Sequence, residues 1–220
     1  TNLMAARSST ASPLDPHEVG GVILLTQTAT EGAFERLLTH DSPLWRCEQA
    51  DETALVLHWS DGPPLVVIAG RQFQSAERIE VLGIGAHLTE PDGVPLTDIL
   101  DILTGRDIPA ILPWGVGKWL GQRGDLIAQT VSERPGILLG DNAGRPSGWP
   151  APGTDPLPRR GSEAGIGRYG FLLEGRIDLV HPSRDMRQRL TELTATPRVF
   201  GRRVNPLLAM LNQVRLRLPG

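Results

Sequence analysis

The side chains best placed for chemistry in this sequence are two cations held between tryptophans in a glycine-rich turn. Residues 108–124 read IPAILPWGVGKWLGQRG: a short apolar run breaks at Pro113, and the chain turns through glycines before it reaches Lys118 and Arg123. A strand, a glycine-rich turn and a helix in this order let backbone N–H groups and a fixed positive charge converge on an anion. This stretch therefore predicts an anion-binding site.

Two later segments have a similar composition. Residues 138–146 (LLGDNAGRP) and 152–170 (PGTDPLPRRGSEAGIGRYG) combine glycine and proline with acidic side chains and arginine. They overlap a loop predicted over residues 141–163, and a loop longer than about 15 residues usually has a function or is disordered. Its tryptophan and charged anchors favour an ordered loop. The candidate ligand-binding residues of the three segments are Trp114, Lys118, Trp119, Arg123, Asp141, Asn142, Arg145, Asp155 and Arg168.

Each of these signals has a structural alternative. The cations can pair with Asp125, Asp141 and Asp155 in salt bridges that brace the loops. The tryptophans can stack a base or sugar beside a cation, or they can cover one end of the core. Asp141 and Asp155 can serve acid–base chemistry or a single metal ion, or they can act with Asn142 as turn formers that bond their own backbone.

Several kinds of site are excluded by residue type and spacing. The five histidines are scattered, without the spacing of a metal-binding pair. Gly117 and Lys118 do not form a phosphate-binding P-loop, because Leu112 and Trp119 replace its first glycine and its hydroxyl residue. The single cysteine, Cys47, excludes a disulfide within the chain and a cysteine-based zinc cluster. The sequence therefore predicts neither a metal nor a cofactor.

The charge balance bears on the class of partner. The 220 residues carry 22 Lys and Arg against 25 Asp and Glu, and this net charge of −3 gives no basic field for nucleic acid. No apolar run reaches the roughly 20 residues that span a bilayer, and no signal-peptide pattern is evident. We therefore expect neither a nucleic-acid nor a membrane partner, and a cytoplasmic location.

Short apolar strands separated by helices indicate an α/β fold with a largely parallel sheet or barrel. Strands are predicted over residues 1–7, 22–25, 53–59, 65–69, 78–86, 110–112, 136–139 and 169–173, with a hairpin joining the third and fourth. Helices are predicted over residues 30–38, 96–103, 120–133, 184–193 and 207–216. The polar positions that follow predicted strands are Gln27, Arg71, Trp114, Asp141 and residues 154–155. Sites in such folds form at the carboxyl ends of strands, so we expect a site where these positions meet.

The order of segments also matches a known pattern. The first strand holds Met4 and Ala6 two residues apart, and the second ends at residues 26–28, Thr-Gln-Thr. Residues 154–157, Thr-Asp-Pro-Leu, precede a glycine-flanked segment, GIGRYGF. From its N-terminus to about Phe171, the chain resembles the polymerase and histidinol phosphatase (PHP) domain family. That family has a His-x-His pair, Thr-Asp-His and Ser-Asp-x-His at these three places.

The other metal ligands of the family are also replaced. Arg71 or Gln72 takes the place of a metal-bridging glutamate, Glu80 that of a histidine, and Leu112 that of the histidine in a His-Pro pair. Only Asp155 matches. The resemblance implies one PHP-like domain over residues 1–220, a distorted parallel-strand barrel related to the TIM barrel, with C-terminal helices. Members of the family bind metal ions and hydrolyse phosphoesters, but Met, Ala, Gln and Leu do not bind such metals.

The leading hypothesis is therefore a non-enzymatic, degenerate PHP-like domain. Its Gly-, Pro-, Trp- and Arg-rich loops would bind a small anionic ligand or a protein partner. One alternative is a metal-dependent phosphoesterase or other hydrolase with a reorganised site that uses Asp141 and Asp155. Another is a structural subunit whose Trp and Arg loops form the interface of a homo-oligomer.

Overall fold

The computed structural model describes residues 2–8, 19–114, 119–141, 151–152 and 167–201. Its strands are β1 (Asn2–Ser8), β2 (Gly21–Gln27), β3 (Trp45–Asp51), β4 (Ala54–Trp59), β5 (Leu65–Gln74), β6 (Glu80–Ile84), β7 (Ala110–Pro113), β8 (Leu138–Asp141), β9 (Ala151–Pro152), β10 (Tyr169–Leu173) and β11 (Val199–Gly201). Its helices are α1 (Ala33–Thr39), α2 (Leu96–Gly105), α3 (Gln122–Glu133) and α4 (Pro182–Thr191).

The described strands form one mixed sheet. Its main path runs β11-β10-β1-β2-β5-β6-β7-β8-β9, and β4 and then β3 branch from β5. The parallel pairs are β1 with β10, β2 with β5, β7 with β8 and β8 with β9, and the other neighbours are antiparallel. Strand β9 approaches β10 and β1, but no ladder joins them within the described residues. The predictions of a largely parallel sheet and of a distorted parallel-strand barrel are therefore wrong.

Short connections explain three of the six antiparallel pairs, those of β3 with β4, β4 with β5 and β5 with β6. Residues 52–53 link β3 to β4, residues 60–64 link β4 to β5, and residues 75–79 link β5 to β6. Parallel neighbours need a crossover of about a dozen residues or more, whereas links this short permit only hairpins. The predicted hairpin is confirmed, since Ala54 of β4 lies opposite Ile68 of β5. An apolar run shows that a strand is buried, but it does not give the strand's direction.

Four of the five predicted helices are confirmed as α1 to α4, with ends displaced by a few residues. The fifth, over residues 207–216, lies outside the described residues. Strand β3 was not predicted, because WRCEQAD lacks an apolar pattern. Among the described helices, the longest has 12 residues, and none is long and apolar enough to cross a bilayer.

Strand β5 holds the core together because both of its faces are covered. Val67 and Ala69 pack with Phe34 of α1 in one apolar cluster, and further along the same face Phe73 packs against α2 in a second. Ile68, on the opposite face, packs against α4 in a third cluster. Burying each large apolar side chain contributes about 1.5–3 kcal/mol. The alternation of side chains along β5 thus places two apolar clusters on one face, with a gap between them.

Candidate functional site

A cavity lies in the gap between the two apolar clusters, on the face of the sheet that α1 and α2 cover. We call it the Arg71 cavity, and its volume is about 570 Å³. Its walls come from the end of β2 with the start of α1, from the middle of β5, and from the segment that leads from β6 towards α2. The lining residues are Gln27 to Gly32, Glu35, Ala69 to Arg71, and Ala86 to Pro91.

Arg71 forms part of the cavity lining because its side chain shares a face of β5 with Ala69 and Phe73. Only 7% of the side chain is exposed. Its Nη2 donates to Asp92 Oδ1 at 3.1 Å, its Nη1 donates to the Gln72 carbonyl, and the guanidinium lies 4.7 Å from the centre of the Phe73 ring. A buried charge is tolerated only when it is paired and hydrogen-bonded, and here one carboxylate supplies the pairing.

The wall formed by β2 and α1 is held by side chains of the loop itself. Gln27 Oε1 accepts from the backbone N–H groups of Ala33 at 2.8 Å and Phe34 at 3.2 Å. These are N–H groups of the first turn of α1, which have no partner within the helix. Glu31 Oε2 accepts from the Thr28 N–H at 2.9 Å and from its hydroxyl at 3.1 Å. This wall is therefore already ordered before any ligand binds.

The opposite wall, residues 86–91, is anchored at several points. Leu88 is 8% exposed and belongs to the α2 cluster. Leu88 also occupies the space beside Gly83, where an added Cβ would lie 2.7 Å from Leu88 Cδ1. His87 Nε2 lies 2.9 Å from the Glu52 carbonyl oxygen.

Glu90 completes this wall and leaves one oxygen without a protein partner. Its Oε1 pairs with Arg106 Nη2, and 18% of its side chain is exposed. Its Oε2 is buried and has no hydrogen-bond partner among the described residues. A buried polar atom left unsatisfied costs about 1–3 kcal/mol, and more when it is charged. Glu90 Oε2 is therefore an unsatisfied acceptor inside the cavity wall, and a rotation of the carboxylate would bring it to the cavity surface.

The charges around the cavity are mainly negative. Among the described lining residues, Glu31, Glu35 and Glu90 stand against one guanidinium, that of Arg71. Asp92 and Arg106, which pair with Arg71 and Glu90, add one charge of each sign. Carboxylates on both walls make the space unfavourable for a free anion. The described residues contain no group of three His, Cys, Asp or Glu side chains arranged to hold a metal ion.

The predicted ligand-binding residues lie at the ends of other strands, and the structure describes only some of these residues. Trp114 follows β7, and its N–H donates to the Gly140 carbonyl at 2.9 Å. Trp119 packs against the α2 cluster, and its Nε1 donates to the Pro113 carbonyl at 3.2 Å. Trp114, Trp119 and the strand end at Asp141 thus meet where β7 and β8 finish.

The remaining predicted residues are not brought together by the described structure. Arg123 is half-buried on α3, and Arg168 is exposed immediately before β10. Lys118, Asn142, Arg145 and Asp155 lie outside the described residues. Most of the predicted loop over residues 141–163 lies there as well, apart from Asp141 at the end of β8 and the two residues of β9.

Sequence reasoning placed Gln27 and Arg71 among the polar positions where a site was expected, but not among the candidate ligand-binding residues. Gln27 is the last residue of β2, which continues two residues beyond the predicted end at Leu25, and Arg71 lies directly opposite Gln27 in the ladder. Arg71 is inside β5 rather than after it, because this strand continues to Gln74. Glu90 carries no local pattern that marks it. An arginine within the apolar run VVIAGRQF was the signal that could have pointed to the cavity.

Comparison of the chain with protein-family models, with curated proteins and with solved structures finds no match. The resemblance to the PHP family therefore stays a prediction, and the function has to be argued from the cavity itself.

Proposed function

We propose that this chain is a binding domain that holds a small polyhydroxylated molecule, of the size of a sugar or cyclic polyol, in the Arg71 cavity. The observation that carries the proposal is a cavity lined by a nearly buried guanidinium, threonine hydroxyls and Glu90, whose Oε2 is buried in the wall without a partner among the described residues. A small rotation of the Glu90 carboxylate towards the cavity would let a ligand hydroxyl supply the missing hydrogen bond.

The chemistry of the lining selects among ligand classes. Glu90 Oε2 requires a donor, whereas Arg71, which gives two of its five N–H groups to described residues, offers further donors to an acceptor. A hydroxyl group both donates and accepts, so a polyol suits both partners. An anion would face the carboxylates of Glu31, Glu35 and Glu90. A cation would be attracted by these carboxylates but would offer no acceptor to Arg71, whereas a neutral hydroxylated ligand suits both.

The size and composition of the cavity agree with this class. Its 570 Å³ lies within the range of about 300–1,000 Å³ that is usual for small-molecule sites. The lining contains Thr28, Thr30 and Thr89, whose hydroxyls can exchange hydrogen bonds with a polyol. No Phe, Tyr or Trp is among the described residues of the lining, so recognition by these residues would rest on hydrogen bonds rather than on ring stacking.

Calorimetric titration of the full chain tests the proposal with glucose, myo-inositol and sucrose as probes, and with inorganic phosphate and spermidine as charged comparisons. We expect at least one polyol to bind. Glu90→Gln should weaken that binding about tenfold, a loss of about 1.4 kcal/mol. Glu133→Gln, which changes an exposed carboxylate on α3, is the matched control and should bind normally. Thr89→Ala provides a second cavity variant in case Glu90→Gln fails to fold.

The titration has clear contrary outcomes. If no polyol binds, or if Glu90→Gln and Thr89→Ala both bind like the wild type, the proposal is wrong. If phosphate binds instead and its binding disappears in Lys118→Ala and Arg145→Ala, the anion site predicted in the Trp- and Arg-rich loops is the better account.

The other hypotheses remain predictions. A hydrolase that uses Asp141 and Asp155 would show metal-dependent turnover that Asp155→Asn abolishes. An oligomer interface formed by the Trp and Arg loops would give a concentration-dependent mass, and substitution of Trp149, in the predicted loop over residues 141–163, by alanine would lower it. The cytoplasmic location also rests on the sequence alone.

A further inference from the structure

Strand β3 forms the edge of a branch of the sheet. It pairs with β4 on one side, and no described strand lies on its other side. The outer backbone N–H and C=O groups of an edge strand are a template for a further strand. Proteins often protect such edges with charged side chains, and β3 carries Arg46 and Glu48.

The side chains of β3 divide between its two faces. Trp45 and Cys47 are half-buried against the cluster that contains Phe34. Arg46 and Glu48 lie on the other face, where 68% and 57% of their side chains are exposed, and Arg46 Nη1 lies 3.1 Å from Glu48 Oε2. One cation and one anion therefore stand two residues apart on the same exposed face.

We propose that a second copy of this chain adds to the edge of β3, antiparallel to it, about a twofold axis at Cys47. Two identical antiparallel strands that extend one sheet are related by a twofold axis perpendicular to it, which passes midway between one residue and the same residue of the second copy. Residues at equal distances before and after that residue then lie opposite one another. An axis at Cys47 places Arg46 of each copy opposite Glu48 of the other copy, which gives two facing pairs of opposite charge.

The neighbouring registers are unfavourable. An axis at Arg46 places the two Arg46 side chains opposite each other, and an axis at Glu48 does the same with two glutamates. Opposite charges in directly facing positions stabilise a strand pair, whereas like charges destabilise it. The charges that protect the edge against unrelated strands thus select one register for self-pairing.

An exposed apolar side chain adds to this surface. Leu44 directly precedes β3, and 75% of its surface is exposed. In the register centred on Cys47, Leu44 comes to lie beside the end of the partner's β3, where pairing would cover part of it. Charge complementarity and apolar burial therefore favour the same arrangement.

Charge reversal tests this interface without removing any packed side chain. Sedimentation velocity of the full chain should show a concentration-dependent dimer. Arg46→Glu and Glu48→Arg should each weaken dimerisation at least tenfold, because each places like charges opposite one another. Mixing the two variants should restore a heterodimer, in which every facing pair is again of opposite sign. This restoration also shows that both variants are folded.

The single cysteine gives an independent readout of the register. Facing residues of antiparallel strands have Cα atoms about 4.5–5.5 Å apart, within the range of about 4.4–6.8 Å that a disulfide spans. Oxidation with copper phenanthroline should therefore cross-link the wild type through Cys47, and should cross-link Arg46→Glu alone much less. Cys47→Ala is the control and should not cross-link.

Three results would overturn the proposal. One is a chain that stays monomeric at millimolar concentration and shows no cross-link. Another is a dimer that charge reversal leaves unchanged, which would place the interface elsewhere. A third is strong protection, in the monomer, of those β3 amides that do not bond to β4, which would show that another segment of the same chain covers the outer edge.

Discussion

At the scale of single residues, Arg71 and Asp92 form an ion pair whose two side chains differ greatly in exposure. The Arg71 side chain is 7% exposed, whereas that of Asp92 is 43% exposed. If Arg71 is removed, Asp92 can still be hydrated by water. If Asp92 is removed, a largely buried guanidinium loses its only described carboxylate partner. Breaking a buried pair by deleting one partner is costly mainly because the remaining charge is uncompensated.

We therefore expect Asp92→Ala to cost more stability than Arg71→Met. Asp92→Ala should lower the free energy of unfolding by about 2–4 kcal/mol, since it also removes the acceptor for the Gln74 N–H at 3.0 Å. Arg71→Met keeps an apolar stem beside Phe73 and should cost less than about 1.5 kcal/mol. Urea unfolding measures both, and Asp98→Ala on the exposed side of α2 is the control. Equal costs would show that Arg71 is better solvated than its burial implies.

The Arg71 cavity shows which of its residues the amino-acid types alone could reveal. An arginine in an apolar strand is visible in the sequence, and Gln27 at a strand end was likewise visible. That these two lie opposite each other follows only from the parallel register of β2 and β5. Glu90 could not be identified, because what sets it apart is an oxygen without a partner, and this depends on the packing of the segment over residues 86–91.

At the scale of elements, three helices receive their N-terminal hydrogen bonds from distant side chains. The N-cap residues of α1, α2 and α4, which are Gly32, Pro95 and His181, form no capping bond with their own side chains. Acceptors come instead from Gln27 for α1, Glu77 for α2 and Asp51 for α4. Each acceptor sits at a strand end or in a turn, so helix and sheet stabilise each other.

We expect Gln27→Ala to destabilise α1 in particular. This helix has only seven residues, too few to be stable alone, and the substitution leaves the Ala33 and Phe34 N–H groups without their described acceptor. Loss of a capping side chain costs about 0.5–2 kcal/mol. Hydrogen exchange should show faster exchange in α1 than elsewhere. Gln129→Ala removes only an exposed bond to Glu133 and should have little effect. If Gln129→Ala destabilised the protein as much as Gln27→Ala, the capping role of Gln27 would be contradicted.

Glu77 makes the stability of α2 depend on pH. Burial alone would raise its pKa, but hydrogen bonds from Ser75, from its own backbone N–H and from the Leu96 N–H lower the pKa below its ordinary value. The unfolded chain, with a pKa of about 4.3 for glutamate, is therefore protonated first as the pH falls. The contribution of Glu77 is complete above that value and is lost as the pH falls through the lower folded pKa.

Urea unfolding of the wild type and of Glu77→Gln between pH 7 and pH 3 tests this dependence. The difference between their free energies of unfolding should be largest near pH 7 and should shrink below about pH 4. A difference that stays constant with pH would mean that the Leu96 N–H bond does not depend on the charge of the carboxylate.

The elements also show which features of the fold the sequence predicts and which it does not. Apolar runs located most of the strands, and apolar spacing located the helices, because burial of one face determines both patterns. Strand β3 was missed because it is an edge strand with exposed charges, and such a strand has no apolar pattern to show. The barrel was predicted because strand direction was assumed to be parallel, whereas a helix between two strands does not ensure it: β6 and β7 are antiparallel although α2 lies between them.

At the scale of the whole molecule, one buried network joins parts of the chain that are far apart in sequence. Asp51, at the end of β3, accepts from the Ser183 N–H and hydroxyl at 2.9 Å each and from the Thr53 N–H at 2.9 Å. The Thr53 hydroxyl donates to Ser183 Oγ at 2.8 Å. Because Ser183 lies in the first turn of α4, this network fixes the helix against the sheet, where Met186 and Leu190 pack in the core.

We therefore expect Asp51→Ala to uncouple α4 from the sheet. Hydrogen bonds to a charged acceptor contribute about 1.5–3 kcal/mol each, and they are not additive, so we expect a loss of about 2–4 kcal/mol in the free energy of unfolding. In the wild type, the amides of α4 and β5 should exchange with similar opening free energies. In Asp51→Ala, the opening free energies of the α4 amides should fall well below those of β5, because the helix would open while the sheet remains folded.

Asp61→Ala, in the exposed connection between β4 and β5, is the control. If α4 and β5 lost protection equally in Asp51→Ala, the apolar contacts of Met186 and Leu190 would be sufficient to hold the helix, and the molecule would unfold as one unit without this network.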